Sequence, residues 1–339
     1  MNRIFRRTAG LLMAAAMIPA ASALASAEIT VPADTQPWPG MDEITAVTDL
    51  QFMSNSSGLD YYEGRLYAVD NSPGTLYVMD VAGDGTLTFV PGYEEGKALA
   101  FSDDADDPNA GGPDSEGVTV DGEGYVYIAS ERDSDNDKVN DNVILKIDPE
   151  ADGDRLVSLQ EWNLTADLPD ARANKGIEAV EWVSADDIAG VLTDNNTGEP
   201  FDPADYPDMV CDGIFFVGLE TNGHVYAFVL NADSSVVLLA DIDPGLGGVM
   251  ALDYDTETGL LWAVADSAVN NLAAVIDPGT LDMTYYDPAG MDTATHNEGF
   301  AIGDIAHSAQ DGLRPVYHFC DGAAENALSV TYLDPDYAA

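Results

Sequence analysis

The sequence predicts an all-β protein, a β-propeller of five four-stranded blades, and three observations support this fold class. A phrase of three short alternating strands recurs five times along the chain. Between the copies there is no continuous helix pattern, apart from one or two turns at 94–101. The N-terminus has an extra strand and the last copy lacks its fourth strand, as in a ring closed by its two termini. A six-bladed ring, in which the long third repeat at 176–248 is split, is the alternative.

The N-terminus has the three parts of an export signal. Arg3, Arg6 and Arg7 precede an apolar run, and small residues at 25–27 follow it. The route, general secretory or twin-arginine, stays open. No later stretch has the roughly 18 apolar residues of a membrane span. We therefore expect a secreted or periplasmic protein without membrane insertion, divided into a signal peptide (1–27), a lead-in (28–42) and one propeller domain (43–339).

Composition restricts the partners of the protein. The 339 residues are 46% apolar, which suffices for a sizeable core, and the net charge is −49. Removal of the three signal arginines would make it −52. Nucleic acids and anionic membrane surfaces need cationic patches, so both are excluded as partners. Adaptation to salty surroundings explains scattered acids, but not acids that recur at fixed repeat positions.

The five copies can be read directly from the sequence. "SSGLDYYEGRLYAVDNSPGTLYVMD" (56–80) aligns with "DSEGVTVDGEGYVYIASERD" (114–133), and the phrase returns in three later segments that begin with "GIEAVEWV", "VMALDYD" and "NEGFAIGD". Fourth strands follow the first four copies at 86–93, 157–164, 236–243 and 282–289. The fifth copy has none, so the orphan strand at 43–53 should close the ring as its outer strand.

The loops differ between the two faces of the predicted ring. Connections between blades, and from second to third strands, share one face. Turns from first to second strands lie on the opposite face, where blade three carries the insertion 184–212 and blade five the insertion 304–314. Cys211 and Cys320 should then lie on opposite faces of non-adjacent blades. Since a disulfide needs Cα atoms within about 7 Å, we expect two free thiols.

Acidic residues recur at two aligned positions near the channel mouth. The first strands of the blades line the channel, and their equivalent position holds Ser57, Glu116, Glu178, Met250 and Glu298, each followed by a small residue that suits close strand approach. The ends of the second strands hold Asn71, Glu131, Glu220, Asp266 and Asp321. Asp70 and Asp114 add to the same rim.

So many acids around one mouth repel one another, which raises some of their pKa values. A hard divalent cation with oxygen ligands would compensate, and calcium suits an exported protein. We predict a calcium site formed by Glu116, Glu178 and Glu298 with some of Glu131, Glu220, Asp266 and Asp321. Solvated rim acids, or a purely structural hydrogen-bonded ring, are the alternatives. His296 lies at the same mouth and could bind metal, act as a base or simply bond a loop.

The phrases "SSGLDYYEGRLYAVDN", "DSEGVTVDGEGYVYIASERD", "KGIEAVEW" and "HNEGFAIGD" resemble the esterase-like phytase domain family of secreted bacterial propellers. The resemblance covers most of residues 55–335. It implies that Glu116, Glu178 and Glu298 are channel acids and that Glu131 is a strand-end acid. Ser57 and Met250 depart from the glutamate pattern in two blades.

Two functions follow from these expectations. The resemblance implies a calcium-dependent phytase-like or phosphoesterase-like hydrolase that acts on a small phosphorylated molecule. Glu116, Glu178, Glu298 and His296 are then the candidate catalytic residues. The alternative is a non-catalytic, calcium-binding propeller for an extracellular ligand or protein partner. In both cases we expect a monomer.

Overall fold

The computed structural model describes residues 31–338 except 53, 170, 266, 293 and 323–325. The signal peptide and Asp266 therefore lie outside the described residues. Five small antiparallel sheets form a ring, a five-bladed β-propeller. This confirms the predicted fold class and its five-blade count. Within the described residues, no helix is long and apolar enough to cross a membrane.

Each blade is an antiparallel meander, and its strands are given from the channel outward. Blade one consists of Ser56–Tyr62, Arg65–Asp70 and Thr75–Val81, with Leu87–Phe89 and Lys97–Ala100 pairing along the third. Blade two consists of Pro113–Val120, Val126–Asp133, Val143–Ile147 and Gln160–Asn163. Blade three consists of Ile177–Ser184, Gly213–Leu219, Val225–Leu230 and Val236–Ile242. Blade four consists of Ala251–Asp255, Leu260–Val264, Ala273–Ile276 and Met283–Tyr286.

Blade five closes the ring with both ends of the chain. Its three inner strands are Asn297–Ile302, Arg314–Cys320 and Leu328–Leu333, and the N-terminal strand Gly40–Ala46 pairs along the last of them. The predicted closure is confirmed, with the strand beginning slightly earlier than position 43. The indole of Trp38 reinforces it, because Nε1 donates to Tyr332 O at 3.0 Å.

The remaining elements are short. Arg155–Val157 adds in parallel to Lys97–Ala100, and a small hairpin in the blade-three insertion pairs Thr193–Asp194 with Glu199–Pro200. Helical turns occur at Ala185–Ile188, Ser102–Asp104, Ser134–Asn136, Pro203–Asp205, Ser267–Val269 and Ile305–His307. The helical turn predicted at 94–101 is wrong, because the backbone of 97–100 pairs with blade one and with Arg155–Val157.

The hydrophobic core is divided among the seams between blades. Each of five apolar clusters joins two neighbouring blades, as Trp262 and Phe300 join blades four and five. Burial of such a side chain contributes about 1.5–3 kcal/mol. Cys211 and Cys320 are free thiols, as predicted.

Small residues allow the inner strands to approach closely at the channel. A Cβ atom on Gly58 would lie 2.8 Å from Gly117 Cα, and one on Gly117 would lie 2.7 Å from Val180 N. A Cβ on Gly299 would lie 2.5 Å from Ser57 O. These contacts are too short for any side chain, so the predicted role of the small residues is confirmed.

A ring of hydrogen bonds from backbone N–H groups to side chains joins successive blades. The accepting side chains lie on the inner strands, two residues after the small residues of the channel. Val120 N donates to Asp60 Oδ2 at 2.7 Å, and Trp182 N donates to Thr119 Oγ1 at 3.0 Å. Tyr254 N donates to Glu181 Oε1 at 3.1 Å, and Ile302 N donates to Asp253 Oδ2 at 2.8 Å. The equivalent residue of blade five is Ala301, which has no side-chain acceptor.

Candidate functional site

Three buried carboxylates of blade two form the tightest acidic group at the channel mouth. One oxygen each of Asp114, Glu116 and Glu131 lies within 4.8 Å of the other two. Their exposed fractions are only 1%, 4% and 3%. Glu116 and Glu131 were predicted as metal ligands, whereas Asp114 was assigned only to the rim. The hairpin that joins Pro113–Val120 to Val126–Asp133 brings the three residues to the same end.

The glutamates of the first strands project from β-bulges. In blade two, Gly117 pairs with Ala129 and Ser115 with Ser130, so that Glu116 is an extra residue in its strand. The same shift places Glu178 and Glu298 outside their ladders. A bulge re-aims the side chain of its extra residue. Here it supplies the local reason why these three glutamates leave the alternating pattern.

The structure brings the glutamates of three blades into one electrostatic cluster. Burial raises the pKa of Glu116 well above its usual value, and the charges of Asp114, Glu131 and Glu298 raise it further. Burial likewise raises the pKa of Glu178, with added repulsion from Glu116, Glu131, Glu298 and Glu220. Burial also raises the pKa of Glu131 to about 7, although the hydrogen bond that Gly176 N donates to this carboxylate lowers it.

Two cations flank this cluster. Arg132 Nη2 lies 2.5 Å from Asp114 Oδ2, and its Nη1 lies 3.1 Å from Glu131 Oε1. Lys175 Nζ lies 2.7 Å from Glu220 Oε1 at the exposed edge. Ser57, which replaces glutamate in blade one, donates from Oγ to Glu116 Oε2 at 3.0 Å. The cluster therefore retains more negative than positive charge.

The other predicted residues lie at the periphery. Asp321 is half-buried, and its N donates to His296 O at 2.8 Å. His296 is exposed, with Nδ1 3.4 Å from Ser267 Oγ. Met250 is buried in blade four, whose pairing from Ala251 onward shows no bulge. Asp266 lies outside the described residues.

The donor set fits a hard divalent cation. All the side chains offer oxygen, and Ca²⁺ takes oxygens at 2.3–2.6 Å, so oxygens less than about 5 Å apart can share one ion. Asp114 Oδ1 is buried and accepts no hydrogen bond from the residues described. Such an orphaned acceptor is costly unless something binds it. Asp114, Glu116 and Glu131 are therefore the residues that would hold the metal.

At the level of Glu178 and Glu298 the channel narrows to a constriction. Gly58, Gly117, Ala179 and Met250 line it together with these glutamates, and the free volume there is only about 10 Å³. A water molecule needs at least that much space. The acidic mouth is therefore separated from the opposite end of the channel.

A protein-family model described as phytase-like, with esterase-like activity of phytase, matches residues 51–233. This range is just over half of the chain and contains Asp114, Glu116, Glu131 and Glu178. No curated protein matches the sequence.

Several solved structures are similar to the chain at low identity. The Malassezia sympodialis allergen Mala s 1 matches with a TM-score of 0.41 and 9% identity, over 83% of this chain and 79% of its own. A Thermus thermophilus protein assigned as an oxidoreductase (glucose dehydrogenase) matches with a TM-score of 0.42 and 11% identity, over 85% and 99%. The WD40 domain of Toxoplasma gondii coronin matches with 0.40 and 12%, over 90% and 64%. At these scores the similarities carry no argument about function.

Proposed function

The chain belongs to the phytase-like family, and from this membership and its acidic channel mouth we propose that it is a calcium-dependent ester hydrolase. Its substrate class is a small phosphorylated molecule. We place the protein outside the cytoplasm, secreted or periplasmic, because its N-terminal sequence has the parts of an export signal. We also expect it to be a monomer.

The observation that carries the proposal is the group of Asp114, Glu116 and Glu131. Three buried carboxylates within 4.8 Å of one another repel strongly unless a cation lies between them. Arg132 neutralises part of this charge at the side of Asp114 and Glu131. Burial and three acidic neighbours raise the pKa of Glu116 well above its usual value, so a cation bound here would stabilise its charged form.

The residues of the mouth have separate roles in this proposal. Bound calcium would neutralise a phosphate group and lower the pKa of a bound water. Arg132 has a planar fork of donors that matches phosphate oxygens, and it lies beside the proposed ligands. Lys175, half-exposed at the rim, adds a second positive charge. Glu178, whose pKa is raised by burial, is the candidate general acid or base.

Glu116→Gln gives the most direct test, because it removes the charge and keeps the shape. Without calcium the variant should be more stable than the parent, since one of several repelling carboxylates is gone. With calcium it should lose most of the ligand-dependent stabilisation, which is about 2.7 kcal/mol at a hundredfold excess over Kd. Melting curves in chelator and in calcium, with calcium calorimetry, measure both effects.

Hydrolysis is tested on the same proteins. We expect calcium-dependent release of phosphate from inositol phosphates or nitrophenyl phosphate, abolished by chelator and reduced at least tenfold in Glu116→Gln. Glu199→Gln, an exposed acid on the small hairpin, is the matched control and should behave as the parent. Calcium that leaves the parent melting curve unmoved would contradict the metal site.

A non-catalytic calcium-binding propeller is the second candidate. The constriction of about 10 Å³ at Glu178 and Glu298, and the 7% exposure of Glu178, favour a metal that only rigidifies the ring. Tight calcium binding without hydrolysis of any phosphate or carboxylate ester would support this function over the hydrolase.

A further inference from the structure

We propose that the opposite end of the channel is a second binding site, which takes a small organic amine. A cavity of about 280 Å³ opens there. The two insertions of the sequence form part of its wall, through Ser184 and Asp187 from blade three and Asp304 and Arg314 from blade five. The constriction separates it from the candidate metal site, so this inference does not depend on the proposed function.

Three buried carboxylates line this cavity at the level of the inter-blade hydrogen bonds. Asp60, Glu181 and Asp253 are 7%, 8% and 7% exposed. Each accepts one backbone hydrogen bond from the next blade. Thr119 makes the equivalent bond in blade two with a neutral hydroxyl. The bond between blades therefore does not require a carboxyl group, and the presence of three acids at these positions needs another explanation.

The spacing of these carboxylates favours an extended cation over a metal ion. Among the described residues, the group of Asp114, Glu116 and Glu131 is the one whose oxygens all approach within 4.8 Å. The oxygens of the three cavity carboxyl groups do not all come within that distance of one another. An alkylammonium provides several N–H donors, and carboxylates are acceptors, so an amine can bond more than one of them.

The walls suit the carbon chain and charge of an amine. Tyr62, Trp182 and Tyr254 line the cavity, and aromatic faces attract ammonium groups. The wall also contains one cation, Arg314, but Asp255 holds its Nη1 at 2.7 Å. A volume of 280 Å³ corresponds to about nine water molecules at ~30 Å³ each. This size admits a short diamine.

The test is calorimetry with butane-1,4-diamine, in 0.15 M NaCl and chelator so that attraction to the general negative charge is screened. Butane-1,4-diol is the neutral probe of the same length. We expect one diamine per chain and no heat from the diol. Glu181→Gln and Asp253→Asn keep the acceptor for the backbone bond and remove the charge, so each should weaken diamine binding at least tenfold while the fold is retained.

Controls separate this site from the metal site. Glu116→Gln and Glu199→Gln should bind the diamine as the parent does, and Glu181→Gln should keep the calcium response of the parent. Asp60→Asn is the third charge-removing variant, should Glu181→Gln or Asp253→Asn fold poorly. The proposal is overturned if the parent does not bind the diamine at millimolar concentration, if the diol binds equally well, or if Glu116→Gln rather than Glu181→Gln abolishes binding.

Discussion

At the scale of the residue, His318 shows how an apolar environment sets a protonation state. It is 3% exposed in blade five, between the rings of Trp38 and Phe300 at 6.3 and 5.6 Å. Neither ring nitrogen has a hydrogen-bond partner among the described residues. Burial therefore lowers the pKa of His318 to about 4, and the ring is neutral in the folded chain.

His318 should destabilise the protein in acid. The unfolded histidine binds a proton below about pH 6.5, whereas the folded one does so only below about 4. Stability is therefore lost as pH falls through this window, by about 3 kcal/mol in total. His318→Phe should remove this loss and stabilise the protein by about 1–3 kcal/mol at pH 7, since no unpaired polar atom remains. Urea unfolding at pH 4.5 and 7 measures both, and a destabilised variant at pH 7 would contradict the assignment.

The sequence predicted some site residues and missed others for a definite reason. Glu116, Glu178 and Glu298 could be predicted because they precede an aligned small residue in three repeats. Asp114 occupies no repeated position, so only the hairpin geometry assigns it to the tight group. Asp60, Glu181 and Asp253 do share an aligned position, two residues after the small one. The repeat alignment therefore contains the signal for these residues as well.

At the scale of the element, the β-bulge and the small residue after it act together at the channel mouth. The bulge turns Glu116 out of its strand, and Gly117 then lets blade two approach blade three. The sequence pattern alone could not reveal the bulge. Alternation of apolar and polar residues predicts which face of the sheet a side chain occupies, but not a shift in the pairing register. Strand 97–100 was missed for a similar reason: its partners Thr75–Leu76 and Arg155–Val157 are distant in sequence.

Gly117→Ala should disturb both the seam and the metal site. Its Cβ would lie 2.7 Å from Val180 N and 2.9 Å from the backbone of Ala179, and backbone cannot turn away as a side chain can. We expect a loss of about 1–3 kcal/mol, typical of overpacking, with weaker calcium binding because Glu116 and Glu178 move apart. Gly83→Ala, whose Cβ would meet only Ala306 O at 3.5 Å, is the control. Equal melting temperatures for the two variants would show that the seam tolerates a side chain.

At the scale of the whole molecule, closure and charge act against each other. The strand Gly40–Ala46 ties both ends of the chain into blade five, and five apolar seams hold the ring. The net charge of −49 opposes compaction through self-repulsion. Closure was predictable because an orphan strand and an incomplete blade complement each other. The burial of these two groups of acids was not predictable, because it depends on which side chains the ring covers.

These two groups set the expected pH dependence without metal. The pKa values of Glu116, Glu178, Glu181 and Asp253 are raised well above their usual range by burial, and that of Asp60 is raised to about 6. A folded carboxyl with a raised pKa keeps its proton where the unfolded one has lost it. Stability is therefore present below the unfolded pKa and is lost as pH rises through the folded one. For Asp60 alone the loss is about 3 kcal/mol.

In chelator, the melting temperature should therefore rise as pH falls from 8 to about 5.5. His318 acts in the opposite direction, but over the single unit below pH 6.5 it contributes only about 1 kcal/mol, so the carboxyls dominate. In 1 M NaCl, which screens exposed charges beyond about 3 Å, the slope should persist because the responsible groups are buried. The triple variant Asp60→Asn, Glu181→Gln and Asp253→Asn should have a smaller slope of melting temperature against pH. Calcium should remove the part of the slope that is due to Glu116 and Glu178. A melting temperature that falls steadily from pH 8 to 6 in chelator would mean that these carboxyls are ionised and compensated in the folded protein.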